Sequence, residues 1–334
     1  MPTPGDPIPR LLVSDFDFAP RDAERLRAAL GADHVLLVKG RDAVRETLTT
    51  HPEADVLAGF FPPADVLDRA PNLRWIALAS AGADHVLGAG LVRADGPAVT
   101  TANGVHAVPI SEFVFSMMLL WARHWPEMLA LQRAHDWPEQ RRKRALTGRE
   151  LFGATLAVVG VGAIGRRVAQ LGRAFGMRVT GTTRSAQPGT HDPDLDDLVP
   201  LARLDALLAE ADYVVIAVPA TPQTHHLIGA QQLRAMKPSA FFVNIARGSV
   251  VDEHALIAAL HAGRIGGAGL DVVEDEPLAA DSPLWNMPNV IISPHVSGVT
   301  PSYSARFTDL LLENLARFQA GEPLRNLVSI EHGY

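Results

Sequence analysis

The run Leu156-Ala-Val-Val-Gly160-Val-Gly162-Ala-Ile-Gly165-Arg166 constrains the fold more than any other part of the chain. Its apolar start reads as a strand. The Gly-x-Gly-x-x-Gly that follows opens a helix-like stretch containing small Ala163 and Ala169. Strand, glycine turn and helix in direct succession make the first half of a dinucleotide-binding βαβ unit. Gly160 permits the tight turn, Gly162 lets the backbone approach a pyrophosphate, and Gly165 lets helix and strand pack closely. The helix N-terminus adds free N–H groups and a favourable dipole. Gly160, Gly162, Ala163, Ile164 and Gly165 are therefore candidate cofactor-binding residues. The alternative, a glycine-bearing turn with no ligand, fits this context less well.

A ribose ligand is expected about 20 residues further on, at the end of the next strand, as Asp or Glu for NAD. The strand reads Arg178-Val-Thr-Gly-Thr-Thr183-Arg184-Ser185 and carries no acid. Thr183 takes the acid's place, and Arg184 can pair with a 2′-phosphate. The expectation is NADP(H) in preference to NAD(H), with NAD(H) still accommodated, and with Thr183, Arg184 and Ser185 in contact.

At about 150 residues per domain, 334 residues favour two domains. Short apolar runs alternate with helix-period segments throughout. Candidate strands are 11–18, 35–38, 54–61, 73–79 and 98–101, then 155–159, 178–182, 213–218, 240–245, 266–273 and 289–293. Helical patterns include 21–30, 41–48, 163–175, 201–211 and 253–264, a long one at 109–131 with a break at Trp125-Pro126, and a last one at 302–320. Such alternation means two doubly wound α/β modules with parallel sheets. The segment His135–Arg149, with Arg141, Arg142, Lys143 and Arg144, reads as a solvated connection, and residues 1–10 as a loose tail.

Composition removes several function classes. There is no Cys, so disulfide frameworks, Cys-ligated zinc and thiol catalysis are excluded; no metal site is expected. A net charge of -7 argues against a nucleic-acid or anionic-membrane surface. No run approaches the ~18 apolar residues of a membrane span, and no secretory leader is evident. A cytoplasmic protein is expected.

In open α/β sheets, ligands bind outside the carboxyl ends of strands. Three strand ends of the second module carry chemistry: Arg247 after Ala240–Ala246, Glu276 after Gly269–Val273, and His295 after Val290–Pro294. Each alone would pass as a surface ion pair, a solvated acid or a structural imidazole. Together they suit hydride reduction of a 2-oxo acid. Arg offers a planar two-point clamp for the carboxylate. His can give the proton that the forming alkoxide needs. A carboxylate on its other ring nitrogen would orient it and stabilise the imidazolium.

In these residues the sequence resembles the D-isomer-specific 2-hydroxyacid dehydrogenase family. The resemblance runs from roughly Ala54 to Asn326. Its motifs are Ser80-Ala-Gly82-Ala-Asp84, Asn103-Gly104-Val-His106, Gly160 to Gly165, Val218-Pro219-Ala-Thr-Pro-Gln-Thr224, Asn244-Ile-Ala-Arg247-Gly248, Leu270-Asp271 with Glu276-Pro277, and Ser293-Pro-His295. It implies catalytic Arg247, Glu276 and His295, and substrate contacts from Ala81, Gly82 and Arg247. It also implies cofactor contacts from Val218, Pro219, Thr224, Ile245, Ala246, Asp271 (at the nicotinamide carboxamide), His295 and Gly298. The implied layout is a Rossmann coenzyme domain, residues 108–299, inserted into a flavodoxin-like substrate domain, residues 1–107 and 300–334, with substrate in the cleft. A homodimer is implied by the same resemblance.

Departures from the family pattern refine the expectation. Thr183-Arg184 resembles the NADPH-using glyoxylate and hydroxypyruvate reductases. Glu276 stands where the family's formate dehydrogenases carry Gln, which argues against formate oxidation. No regulatory domain is expected after residue 334. The activity implied is reduction of a small 2-oxo acid of the glyoxylate, hydroxypyruvate or pyruvate type to the D-2-hydroxy acid. A rival from another class is a nucleotide-sensing protein like the family's corepressors. Against it stands the short segment after His295, mostly one helix. A third reading is a larger apolar 2-hydroxy acid, with Phe60, Phe61, Trp285 and Tyr303 lining the pocket; core packing is the plainer explanation of these four.

Overall fold

The computed structural model describes residues 11–139, 143–184, 186–187 and 189–329. The expected tail 1–10, Arg141, Arg142 and Ser185 lie outside the described residues. Two compact units are present. One takes the chain up to His106 and again from Val299; the other is Ala107–Gly298.

The Ala107–Gly298 unit holds a seven-stranded sheet of β6 (Thr155–Val159), β7 (Arg178–Thr183), β8 (Asp197–Pro200), β9 (Tyr213–Ile216), β10 (Phe241–Asn244), β11 (Gly267–Leu270) and β12 (Val290–Ile292). Their spatial order is β12-β11-β10-β9-β6-β7-β8, and every pairing is parallel. Runs such as Tyr213-Val-Val-Ile are apolar throughout because both faces are covered. Alternate residues feed two cores. Leu156, Val158, Val215, Phe241 and Val243 meet helices Ala107–Ala122 and Ala163–Ala174 on one side. Ala157, Val159, Val214, Ile216 and Phe242 meet helices Leu204–Glu210, Ala230–Ala235 and Glu253–His261 on the other. Strand order reverses between β6 and β9, which makes the end of β6 the switch point where such sheets take ligands.

The other unit carries five parallel strands, β1 (Leu12–Ser14), β2 (Val35–Leu37), β3 (Val56–Gly59), β4 (Trp75–Leu78) and β5 (Ala98–Thr100), in the order β2-β1-β3-β4-β5. Helix Tyr303–Ala320 returns to it and packs Phe307, Leu311, Leu315 and Phe318 against Leu12, Val56 and Trp75. The opposite face packs Val13, Leu57, Ile76 and Leu78 against Val44 and Leu48 of helix Arg41–Thr50.

Three details differ from the sequence expectation. Strand β8 was not expected, because the acidic run Asp192–Asp197 masks its single buried residue, Val199. The long helix breaks at His124, in left-handed backbone (φ 54°), one residue before the expected break, and Pro126 falls in the first turn of the next helix, Trp125–Arg133. Several strands are shorter than their apolar runs: 11–18 narrows to Leu12–Ser14 and 54–61 to Val56–Gly59. No helix among the described residues is long and apolar enough to cross a membrane.

Candidate active site

The glycine turn leaves β6 and leads into helix Ala163–Ala174. Gly160 adopts φ 100°, where a side chain is strained, and a Cβ there would come within 2.7 Å of the Ala217 carbonyl oxygen. A Cβ on Gly165 would overlap the Gly160 carbonyl and approach Val158 Cγ1 to 3.0 Å, so helix and strand touch only because it is absent. Gly162 is different. It is exposed, and a Cβ would meet nothing within 4 Å. The helix has no side-chain cap at this end, which leaves its first N–H groups for a ligand. An open face over an uncapped helix N-terminus fits the pyrophosphate of a dinucleotide.

Thr183 ends β7, and its hydroxyl accepts the Ala186 N–H at 3.1 Å, while Arg184 is exposed. A brace that sequence reading missed holds the next segment. Arg166, in the first turn of the glycine-loop helix, donates to both Asp192 oxygens at 2.8 Å and to Asp194 at 3.0 Å. Gln170 and Arg173, further along that helix, reach Asp194 and Asp196. The Arg166 guanidinium holds the Asp192 carboxyl below the usual carboxylate range. Alternating acids at 192, 194 and 196 facing polar residues at helical spacing were the available signal.

The chemistry lies on three neighbouring strands. Arg247 follows β10, Glu276 follows β11 and His295 follows β12. Asn244 secures the first turn: its Oδ1 accepts the Ala246 N–H at 3.1 Å and its Nδ2 donates to the Arg247 carbonyl at 3.1 Å. Ile245 and Ala246 are buried beside it, and Arg247 is half-buried. A Cβ on Gly248 would overlap the Val273 carbonyl, so that glycine brings the Arg247 turn against the one leading to Glu276.

His295 Nδ1 lies 2.8 Å from Glu276 Oε2. An ionised carboxylate only accepts, so Nδ1–H donates and Nε2 is left to exchange a proton with a substrate. Both side chains keep solvent access, at 46% and 38% exposure. His295 itself has φ 54°, a costly conformation for a residue with a Cβ. Asp271 stabilises it. Buried to 2% exposure, its carboxylate accepts from the Ser293 hydroxyl (2.7 Å), the Val296 N–H (3.0 Å) and the Ser297 N–H (3.1 Å), and its carbonyl accepts the His295 N–H (2.9 Å). The sequence expectation places Asp271 at the cofactor alone; in the structure its carboxylate builds the turn that presents the imidazole.

The remaining expected residues fall on strand-end loops. Val218 and Pro219 follow β9, and the Thr224 hydroxyl closes their loop by donating to the Pro219 carbonyl at 2.7 Å. Gly298 is half-buried at the end of its unit. Ala81 and Gly82 follow β4 in the other unit, where the Ser80 hydroxyl donates to the Gly82 carbonyl at 2.7 Å. Trp285 is exposed, with its ring N–H on the Ala279 carbonyl.

Known proteins share this fold and its coenzyme-binding unit. The profile of the D-isomer specific 2-hydroxyacid dehydrogenase NAD binding domain matches residues 115–297. A glyoxylate reductase from Thermococcus gammatolerans is 37% identical over 270 residues, 80% of this chain and 79% of its own. A D-isomer specific 2-hydroxyacid dehydrogenase from Xanthobacter autotrophicus Py2, solved with NADPH and MES, superposes with a TM-score of 0.82 at 30% identity, covering 98% of this chain and 100% of its own. The NADPH-dependent glyoxylate/hydroxypyruvate reductase from Sinorhizobium meliloti, solved with NADP and sulfate, gives 0.79 at 27% identity, covering 97% and 99%. With a profile over more than half its length and a relative above 30% identity over four-fifths of it, the chain belongs to the D-isomer-specific 2-hydroxyacid dehydrogenase family and is an NAD(P)-dependent oxidoreductase.

Proposed function

We propose that the protein reduces a 2-oxo acid to the D-2-hydroxy acid with NADPH in preference to NADH. The observation that carries this reading is the Glu276–His295 pair at the strand edge that also bears Arg247. Arg247 clamps the substrate carboxylate at two points. Ala81 and Gly82, in the loop after β4 of the other unit, are the further candidate substrate contacts through their backbone N–H groups. When bound, the nicotinamide supplies the hydride. His295 holds a proton at Nε2 for the carbonyl oxygen as that oxygen gains charge. Glu276 fixes the ring through Nδ1–H and offsets the imidazolium charge, worth about 1.5–3 kcal/mol for a charged hydrogen bond before discounting for its solvent access.

Gly162, Ala163 and Ile164 hold the pyrophosphate in the turn that Gly160 and Gly165 shape, with the loops at Val218–Thr224 and Ile245–Ala246 and the residues Asp271 and Gly298 about the rest of the dinucleotide. The acid-free end of β7, with Thr183, Arg184 and Ser185, supports the 2′-phosphate preference. Two structural neighbours solved with NADPH or NADP support it as well. The relatives named glyoxylate reductase support a 2-oxo acid as substrate, with glyoxylate, hydroxypyruvate and pyruvate the smallest members of that class.

Initial rates of NADPH and NADH oxidation over a panel of 2-oxo acids test the reading. Arg184→Ala is expected to weaken NADPH about tenfold relative to NADH, the loss of one charge-assisted contact. Equal effects on the two cofactors would refute the 2′-phosphate assignment.

A further inference from the structure

The carboxyl edge of the five-stranded sheet is aromatic where it meets the 80–82 loop. Gly59 ends β3, and Phe60 and Phe61 follow it. The Ala79 N–H donates to the Gly59 carbonyl at 2.8 Å, which aligns Phe60 with Ala79 and sets Phe61 beside the start of the 80–82 loop. Phe60 stacks on Tyr303 (centroids 6.0 Å, 17°), and the Tyr303 hydroxyl donates to the Ala79 carbonyl. Phe16 supports both rings from below, at 5.7 Å from each, and is itself buried against Phe18 and Phe307.

This platform is not finished as a core would be. Phe60 is 37% exposed and Phe61 50% exposed, and of the large hydrophobic side chains exposed in this unit among the described residues, these are the two aromatic ones. Arg41 covers one side of Phe61 at 5.2 Å, and His85 meets it edge-on at 5.2 Å. Both neighbours hold the ring in place while half its surface stays open. A paired apolar surface left open at the ligand-binding edge of an α/β sheet marks a contact surface.

We propose that Phe60 and Phe61 receive the side chain of the substrate, so that this enzyme prefers 2-oxo acids bearing an aromatic or branched aliphatic group over glyoxylate. The inference rests on the reductase reading above and on Ala81 and Gly82 holding the substrate carboxylate. A carboxylate held at the 80–82 loop leaves the group on its 2-carbon beside the two rings. Glyoxylate has only hydrogen there and gains nothing from them.

The test is kcat/KM with NADPH for phenylpyruvate, 4-methyl-2-oxopentanoate and glyoxylate, in the wild type and in Phe60→Ala, Phe61→Ala and Phe61→Leu. The wild type is expected to favour phenylpyruvate over glyoxylate by about tenfold or more, in line with what a few buried carbons contribute to discrimination. Phe61→Ala should lower that ratio about tenfold. Phe61→Leu keeps an apolar surface, so it should retain the 4-methyl-2-oxopentanoate rate while losing on phenylpyruvate, and it reads the same ratio if the alanine variant folds poorly. A wild type that favours glyoxylate, or ratios unmoved by all three variants, overturns the inference and leaves the reductase reading standing. Variants that lower all three acids alike while shifting the oligomeric state would assign the rings to a contact between copies, and overturn it too. No turnover of any 2-oxo acid by the wild type would overturn the reductase reading and this inference with it.

Discussion

Gly162 and Gly165 stand three residues apart in one motif, yet one faces open space and the other a packed backbone, so substitution can separate their proposed roles. A methyl at Gly165 would overlap the carbonyl of Gly160 and press on Val158 Cγ1. The carbonyl belongs to backbone fixed by the Gly160 N–H bond to the Thr182 carbonyl at 2.9 Å, so the helix must move instead. Overpacking of this kind costs about 1–3 kcal/mol. At roughly 2–4 °C per kcal/mol for a unit of this size, Gly165→Ala should lower Tm by several degrees and weaken NADPH as well. A methyl at Gly162 meets nothing, and φ -85° with ψ -160° is open to alanine. Gly162→Ala should therefore leave Tm within about 2 °C of wild type, small surface changes being within ±0.5 kcal/mol. In the proposed reading its methyl nevertheless occupies the face that the pyrophosphate approaches. Losing one charge-assisted N–H contact, about 1.5–3 kcal/mol, raises the NADPH Kd roughly 10- to 100-fold. Fluorescence titration and thermal melts of both variants give all four numbers. A Gly162→Ala enzyme that binds NADPH within twofold of wild type would refute the assignment of this turn to the pyrophosphate.

Two further perturbations address the acid–base pair and the brace. Glu276→Gln keeps the shape and a hydrogen bond to His295 but removes the charge; at their partial exposure about 1–2 kcal/mol is at stake, so kcat should fall about 5- to 30-fold with NADPH Kd unaltered, read by steady-state rates and titration. Asp192→Asn removes the acid that Arg166 holds below its usual range. A depressed folded pKa stabilises above the unfolded value of about 3.9 and is lost as pH falls through the folded one. With Arg166 41% exposed, about 1 kcal/mol is at stake, so the variant should melt roughly 2–4 °C below wild type at pH 7. That gap should close below about pH 4; a gap independent of pH would refute the ion-pair explanation.

Much of the site is legible in the sequence because it sits where chain direction dictates position. Once 241–244, 267–270 and 290–292 are parallel neighbours, Arg247, Glu276 and His295 must emerge at one edge, whatever the packing details. The glycine roles follow from the same logic. What the sequence hides is contact made by folding across distance. Asp271 looks like a strand-end acid, and only the structure shows four donors from 293–297 gathered on it. Arg166 and Asp192 are 26 residues apart, and nothing local pairs them. Strand β8 is hidden for a related reason: an edge strand with one buried residue has no apolar run to announce it. The aromatic pair Phe60–Phe61 reads as core from its strand-like surroundings, and only its exposure sets it apart.

The most direct measurement is turnover of NADPH with a panel of 2-oxo acids by the wild type and by His295→Asn, alongside NADPH binding to each. General acid–base catalysis by a positioned imidazole contributes roughly 10²–10⁴-fold, so the variant should bind NADPH within about threefold of wild type and lose rate by that factor. A variant that keeps its rate within tenfold, or a wild type that binds NADPH yet oxidises it with no 2-oxo acid, would contradict the assignment of His295 as the proton donor in 2-oxo acid reduction.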